Sequence, residues 1–573
     1  MGYKSLHQCI SDLEKKGEIR RVTEESDPNL EMASIHLDEF NKGQKVVFFE
    51  NVKGTKYKAV SNLFGSLSRS RYMFRDSLQI VKDLINIKTN PQYILKNPLR
   101  TFRALLNGVY ALPKKVRFNG FNQIKIEDLP QIKCWKNDGG AFITLPQVYT
   151  EDIDSPGIIN SNLGMYRVQI SGNDYVVNRE VGMHYQLHRG IGVHQQKANK
   201  KGDPLKVSIF IGGPPAHSFS AVMPLPEGMS ELAFAGVLGK RRFRYSKKDG
   251  YIISADADFV ICGDLHQDDI KPEGPFGDHF GYYSLKHDFP VLKVHKVFAK
   301  SDGIWPFTVV GRPPQEDSQF GALIHEITGS VIQKEIPGLK AINAVDAAGV
   351  HPLLLAIGSE RYTPYAPTKI PQEILTIANH ILGTGQMSLA KYLFICDDEN
   401  GVSVDKEEDY FTHFLERVNW ERDLHFQTKT TIDTLDYSGE GLNEGSKLVL
   451  AAVGIKKREL SNKVNDIKLP LSFTNYRLAS VGNLVIEGAG EINELIICLE
   501  KQDMQGIGLI TLVDDVDFTT KDFSNWLWVT FTRSNPASDI YGLHSNIVDK
   551  HFACTVPIID ARIKSHHAPI LER

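Results

Sequence analysis

A chain of 573 residues is too long for one hydrophobic core and divides by size into about three or four domains. Hydrophobic residues make up 42% and charged residues 24%, ordinary for a globular protein, and 66 basic against 69 acidic side chains argue against a nucleic-acid partner or a polybasic membrane surface. Six scattered cysteines (Cys9, Cys134, Cys262, Cys396, Cys498, Cys554) with no CxxC pair suit a reducing compartment and support neither a disulfide framework nor a structural zinc site.

The opening MGYKSLHQCISDLEKKGEIRR reads as an amphipathic helix, with Leu6, Ile10 and Leu13 at helical spacing and Gly17 closing the pattern. It has no signal-peptide core, and position 6 is Leu where a myristoylation signal needs Ser or Thr. No run of about 18 apolar residues is present, so the expectation is a cytoplasmic protein without an integral membrane segment. VVFFENV (46 to 52) predicts a buried strand, and a basic helical stretch follows near 91 to 117. From about 130 to 320, short β-branched and aromatic runs such as YRVQISG, KVSIFIGG, FVICGDL and FPVLKVHKVFA, broken by Gly and Pro, predict a split β-barrel. GALIHEITGSVIQKEIPGL predicts a linking helix, and alternating strands and helices to the end predict α/β layers.

The expected domains are therefore an N-terminal α/β domain (1–125), a central split barrel (126–320), a linking helix (321–340) and a C-terminal α/β domain (341–573). Within the last, 391–424 echoes 508–540: Asp397-Asp398 align with Asp514-Asp515, Arg417 with Arg533, Asn419 with Asn535, and Asp423 with Asp539. This predicts a duplicated strand–Asp-Asp–helix unit.

Four segments of the barrel region carry candidate chemistry. NSNLGMYRVQISG places Asn162 and Arg167 on a turn-to-strand passage, although Asn in a Gly-rich turn usually serves the backbone. MHYQLHRGIGVHQQK holds His184, His188 and His194; His184 and His188 at i, i+4 share a face of either a helix or a strand, so one of them is a candidate metal ligand. In GGPPAHSFSAVMPLPEGMSELAFAG, two Gly-Pro turns are expected to bracket a short apolar strand and to deliver Glu227 and Glu231 ahead of a helix, with backbone amides free for a phosphate or a flavin edge. In KPEGPFGDHFGYYS, Glu273 and Asp278 flank a segment that cannot be helical, and two carboxylates held close should raise at least one pKa, as proton delivery requires. Asn, His and Glu together suit manganese or magnesium. The absence of GxGxxG after a strand, GxxxxGK[ST] and GxSxG removes the usual support for nicotinamide, phosphoryl-transfer and hydrolase chemistry.

In this order the motifs NLGMYR, QLHRG, PLPEGMSELAFAG, EGPFGDHFGYY, TVVGRPPQED, YLFICDD and LDYSGEGLNEGSK resemble the UbiD family of decarboxylases over roughly residues 1 to 450. The resemblance implies metal ligands at Asn162, His188 (with His184 as fallback) and Glu231, and a catalytic set of Arg167, Glu273 and Asp278. It implies a prenylated FMN cofactor touched by Asn162, Met165, Arg167, Leu187, His188, Ala221, Val222, Met223, Pro224 and Glu231. Manganese (or magnesium) and potassium would tie the flavin phosphate to the protein, and a flavin prenyltransferase would supply the cofactor. The implied substrate is an aromatic carboxylic acid, first a hydroxybenzoate-like and possibly prenylated quinone precursor of ubiquinone or menaquinone biosynthesis, with a dihydroxynaphthoate or simple phenolic acid as alternatives. A split-barrel FMN oxidoreductase is the competing class, and a homologue serving only in assembly is a third. The residues beyond about 450, as in longer bacterial relatives, are expected to serve structure or homo-oligomer formation.

Overall fold

The computed structural model describes the chain except Met1, Pro91, residues 186–189 and 226–228, residues 363, 364, 367, 400, 440, 442 and 465, Arg573, and the side chains of 89 and 330–334. Two compact units emerge: Met1–Val331 with Ile570–Arg573, and Ile332–Pro569.

The first unit opens with helix Leu6–Lys15. Ser5 caps it by accepting the amide of Gln8, and the helix buries the predicted stripe of Leu6, Ile10 and Leu13 together with Cys9. Strand Val46–Val52 lies where VVFFENV predicted it, inside a four-stranded sheet. The basic stretch forms two helices, Gln92–Lys96 and Pro98–Asn107.

The nine-stranded sheet of this unit explains where the site sits. Along its path the order is Phe142–Ile143, Val168–Gln169, Glu180–Met183, His287–Ala299, Phe259–Glu273, Leu205–Ile211, Gln147–Glu151 and Ser161–Gly164, with Asn122–Ile124 paired to His287–Ala299. Every pairing is antiparallel. Six strand spacings separate Val168–Gln169 from Ser161–Gly164 along that path, which in a flat sheet is about 29 Å. Residues 165–167 join the same two strands directly, and an extended chain can span only about 14 Å there. The sheet must therefore curl until its edges nearly meet. Arg167 sits in the three-residue bridge across that seam. The curl is the predicted split barrel, and Val148, Val181, Val207, Ile209, Ile261 and Leu292 of its strands belong to one apolar core.

The second unit contains two five-stranded sheets with one topology. The first runs Leu339–Ala344, Leu353–Gly358, Tyr392–Asp397, Gly445–Ala452, Leu424–Thr430; the second runs Phe473–Ser480, Asn483–Gly488, Leu509–Val513, Val556–Asp560, Ile540–Leu543. In both, the inner pairings are parallel and both edge strands are antiparallel. The duplication extends to details. The amide of Asn419 donates to Asp423 at 2.9 Å, and that of Asn535 to Asp539 at 2.7 Å. Asp397 accepts from the Gly454 amide and Asp514 from the Ile563 amide, each just past the strand that pairs with its own. Helices Glu407–Arg417 and Phe523–Arg533, one from each copy, pack through Phe411 against Trp526, 5.0 Å between centroids. Among the described residues, no helix is long and apolar enough to cross a membrane.

Candidate active site

Glu273 is the last residue of the 15-residue strand Phe259–Glu273 and is wholly buried. The chain then turns through Gly274, whose φ of +85° lies in the region glycine favours, and Pro275. The short strand Phe276–Gly277 follows and hands the chain to Asp278. Arg167, delivered by the seam of the barrel, lies between the two acids. Its Nε and Nη2 donate to the two carboxylate oxygens of Glu273, both at 2.9 Å, while Nη1 donates to Asp278 at 2.5 Å and Nη2 also to the Ser284 hydroxyl at 3.0 Å. The guanidinium lies over the Phe276 ring, 4.7 Å from its centroid. A forked pairing of this kind fixes orientation as well as charge.

The expectation that like charges would raise a pKa is corrected here. Burial pushes the Asp278 carboxyl up, but a hydrogen bond from His279 and the charge of Arg167 outweigh it and hold the group down at about 2. The two acids do not face each other bare, because a cation separates them.

The loop itself is clamped from outside. Asp138 accepts the Gly277 amide at 2.8 Å, Gln169 accepts the Gly274 amide at 2.9 Å, and Asn173 donates to the carbonyls of Pro272 and Gly274. Residues 570 and 571 also strap it: Ile570 bridges to Tyr282, and the Leu571 amide donates to the Gly281 carbonyl at 3.1 Å. Sequence reasoning does not single out Asp138, Gln169, Asn173, His279 or Ser284. Asp138, Gln169, Asn173 and Ser284 act on groups brought near by long-range pairing, which no local spacing announces, whereas His279 bonds its sequence neighbour Asp278 and carries no motif of its own.

Asn162 and Glu231 also converge. Glu231 begins helix Glu231–Leu238, and its carboxylate accepts from the amide of Leu163, the residue next to Asn162. Burial raises the Glu231 pKa. Among the described residues, the Asn162 amide nitrogen is buried without a hydrogen-bond partner. Gly190, the first residue of helix Gly190–Lys201, approaches so closely that a Cβ there would fall 2.0 Å from Asn162 Oδ1. A hard divalent cation would be held through Asn162 Oδ1, not the amide nitrogen, and that oxygen together with the Glu231 carboxylate is a ligand pair that such a cation suits. Among the described residues no three candidate ligands cluster, and His188, Leu187 and Glu227 lie outside those residues.

The other histidines are placed differently. His184 follows strand Glu180–Met183 and donates its backbone amide to the Arg167 carbonyl at 3.2 Å; its ring packs on Phe289 and, through burial and then the charge of Arg167, has its pKa lowered to about 4. His194 lies on the helix that begins at Gly190, and its ring is satisfied by Thr150 at 2.9 Å. The shared face expected of His184 and His188 lies outside the described residues, since it involves residue 188. PPAHSFSAV, expected as an apolar strand, is the helix Pro215–Val222, begun by a proline whose missing N–H costs nothing in a first turn. Ala221 and Met223 are buried, Val222 half-buried and Pro224 exposed; the Ala221 carbonyl accepts the amide of Met165, which ties this helix to the seam.

Three family models match the chain: the N-terminal domain of 3-octaprenyl-4-hydroxybenzoate carboxy-lyase over residues 10–88, its Rift-related domain over 111–313, and its C-terminal domain over 318–452. A Chlamydia pneumoniae protein named as a component of 4-hydroxybenzoate decarboxylase is 35% identical over 99% of this chain and 95% of its own length. This chain belongs to the UbiD family. It is thus a carboxy-lyase, and the curled half-barrel is the family's fold. Among solved structures, vanillic acid decarboxylase of Sedimentibacter hydroxybenzoicus in its closed form aligns with a TM-score of 0.66 at 23% identity, over 82% of this chain and 96% of that one. An evolved dimeric form of the UbiD-class enzyme HmfF from Pelotomaculum thermopropionicum, in complex with prFMN, aligns with a TM-score of 0.59 at 19% identity, over 82% and 97%.

Proposed function

We propose that this chain is a non-oxidative decarboxylase of a hydroxybenzoate-like acid, with Arg167, Glu273 and Asp278 as its catalytic set and prenylated FMN as its cofactor. One observation carries the reading: a nearly buried guanidinium, delivered across the barrel seam, is shared by two acids on a clamped loop. The name of the Chlamydia relative and the solved vanillic acid decarboxylase favour a hydroxylated benzoate, prenylated or not, over other aromatic acids. Asn162, His188 and Glu231 would hold a manganese or magnesium ion, with potassium nearby, and so fix the flavin phosphate. Met165, Leu187 and Ala221 through Pro224 would line the ring. When bound, prenylated FMN supplies an electrophilic carbon and an electron sink for the departing carboxylate.

The protein's own part follows from the pairing. An arriving carboxylate competes with Asp278 for Nη1 of Arg167, while Glu273 keeps the fork in place from the opposite side. Asp278, released from Arg167 but still buried, then binds a proton more readily and can return it to the carbon that has lost carbon dioxide. His279, bonded through Nδ1 to Asp278 at 2.8 Å and partly open to solvent, is placed to resupply that proton. Glu273→Gln, co-expressed with a flavin prenyltransferase, should bind flavin and metal normally and release no carbon dioxide from 4-hydroxybenzoate or vanillate. Near-normal turnover would refute the assigned role, and plain FMN with hydride-dependent turnover would favour the oxidoreductase class.

A further inference from the structure

Between Asp83 and Glu127 the chain carries no acidic residue and eight lysines and arginines, in a protein whose net charge is −3. The whole-chain balance that argued against a basic surface averages this segment away. Its central helix, Pro98–Asn107, is turned inside out. It buries its small residues, Thr101 and Ala104, while Leu99, Phe102 and Leu106 are 85%, 65% and 61% exposed. By helical spacing these three lie opposite the buried pair. Leu95 before the helix and Leu112 after it are also exposed, and Arg100, Arg103, Lys114 and Lys115 stand exposed beside them. A lone exposed leucine needs no explanation, but a contiguous apolar ridge does. Residues 89–110 lie between the stretches matched by the N-terminal and Rift-related family models, which end at 88 and resume at 111.

We propose that this ridge docks the enzyme on the surface of an anionic lipid bilayer, with Leu99, Phe102 and Leu106 entering the headgroup–acyl boundary and the flanking lysines and arginines contacting lipid phosphates. The composition decides the occupant. Leucine and phenylalanine on one face of a short helix, ringed by cations with no acid among them, is the pattern of interfacial helices. Protein–protein interfaces are depleted in lysine, whereas Lys114 and Lys115 flank this ridge. The site described above plays no part in the argument, so the proposal survives a change of substrate.

The test is co-sedimentation of the full-length enzyme with phosphatidylcholine vesicles, with and without phosphatidylglycerol, alongside two variants. One carries Leu99→Ser, Phe102→Ser and Leu106→Ser; the other carries Arg100→Gln, Arg103→Gln, Lys114→Gln and Lys115→Gln. The wild type should bind only the anionic vesicles, and raised salt should release it. Each neutralised cation should weaken binding about fivefold, so the second variant should lose several hundredfold. The first should lose binding as completely. Both should release carbon dioxide from a water-soluble aromatic acid at the wild-type rate, which shows that they are folded. Failure of the wild type to bind anionic vesicles, or undiminished binding by either variant, overturns the proposal. So does a wild-type oligomer in light scattering that the serine variant dissociates, since the ridge would then join copies of this chain.

Discussion

Replacing Arg167 with methionine gives the sharpest test of how the site is held. The change keeps side-chain bulk but removes, among the described residues, two hydrogen bonds to Glu273, one to Asp278 and one to Ser284. Glu273 is 0% exposed and Asp278 7%, so water cannot replace the lost cation. Removing one partner of a buried ion pair costs about 3–5 kcal/mol, or a factor of about a hundred to a few thousand in local opening. Hydrogen exchange of the peptide spanning 272–284 reads this directly, because the amides of Gly274, Phe276 and Gly277 are all bonded within the clamp. The sign of its pH dependence follows from Asp278. In the wild type its pKa is depressed to about 2, so its contribution is complete above the ordinary carboxylate range and fades only as pH falls toward 2. In the variant, burial is no longer opposed by Arg167 and the pKa rises, so the folded site is favoured at low pH and loses stability as pH climbs. The excess exchange of the variant should therefore be greatest above pH 7 and shrink toward pH 5. Unchanged exchange, or an excess that does not vary with pH, would show that Arg167 does not hold the loop.

Glu231→Ala should lose metal and flavin together by elemental analysis and absorbance; loss of rate alone, with the ion retained, would move the ligand elsewhere, Glu227 being the alternative the sequence offers. Removing residues 570–573 takes away the strap at Gly281 and Tyr282, and should lower kcat while leaving the thermal transition of the second unit unchanged. Deleting residues 505–573 removes three of the five strands of the second sheet, exposes Leu484 and Ile486, and should abolish soluble expression; a folded product with an unchanged assembly state would refute a structural role for this region.

Much of the site is legible in the sequence because its chemistry is carried by short motifs. NLGMYR and EGPFGDHF place Arg167, Glu273 and Asp278 on separate segments, and the fold brings them into one cluster. The ionisation of Asp278 is not legible. Burial is overcome first by the hydrogen bond from its neighbour His279 and then by the charge of Arg167, 111 residues away in sequence, and spacing along a chain cannot report which charge comes to lie between two others. Helix Pro215–Val222 departs from the expected strand for a related reason. All of its residues except Val222 are buried, so it shows no amphipathic period, and a short apolar run of that length reads equally well as a strand. The repeat, by contrast, survives as aligned Asp and Asn residues because these do the same backbone work twice.

That doubling sets the chain a sorting problem while it folds. Two sheets of one topology offer each parallel strand a second, geometrically acceptable berth, and mispairing between similar units is a characteristic failure of repetitive chains. The copies differ where a wrong choice would be penalised. Tyr410 donates its hydroxyl to the carbonyls of Ala356 and Phe394 in the first, whereas the Trp526 indole donates to the Thr511 hydroxyl in the second. A segment seated in the other copy would leave a buried polar group without its partner, so these private hydrogen bonds act as addresses that keep near-identical halves from exchanging parts.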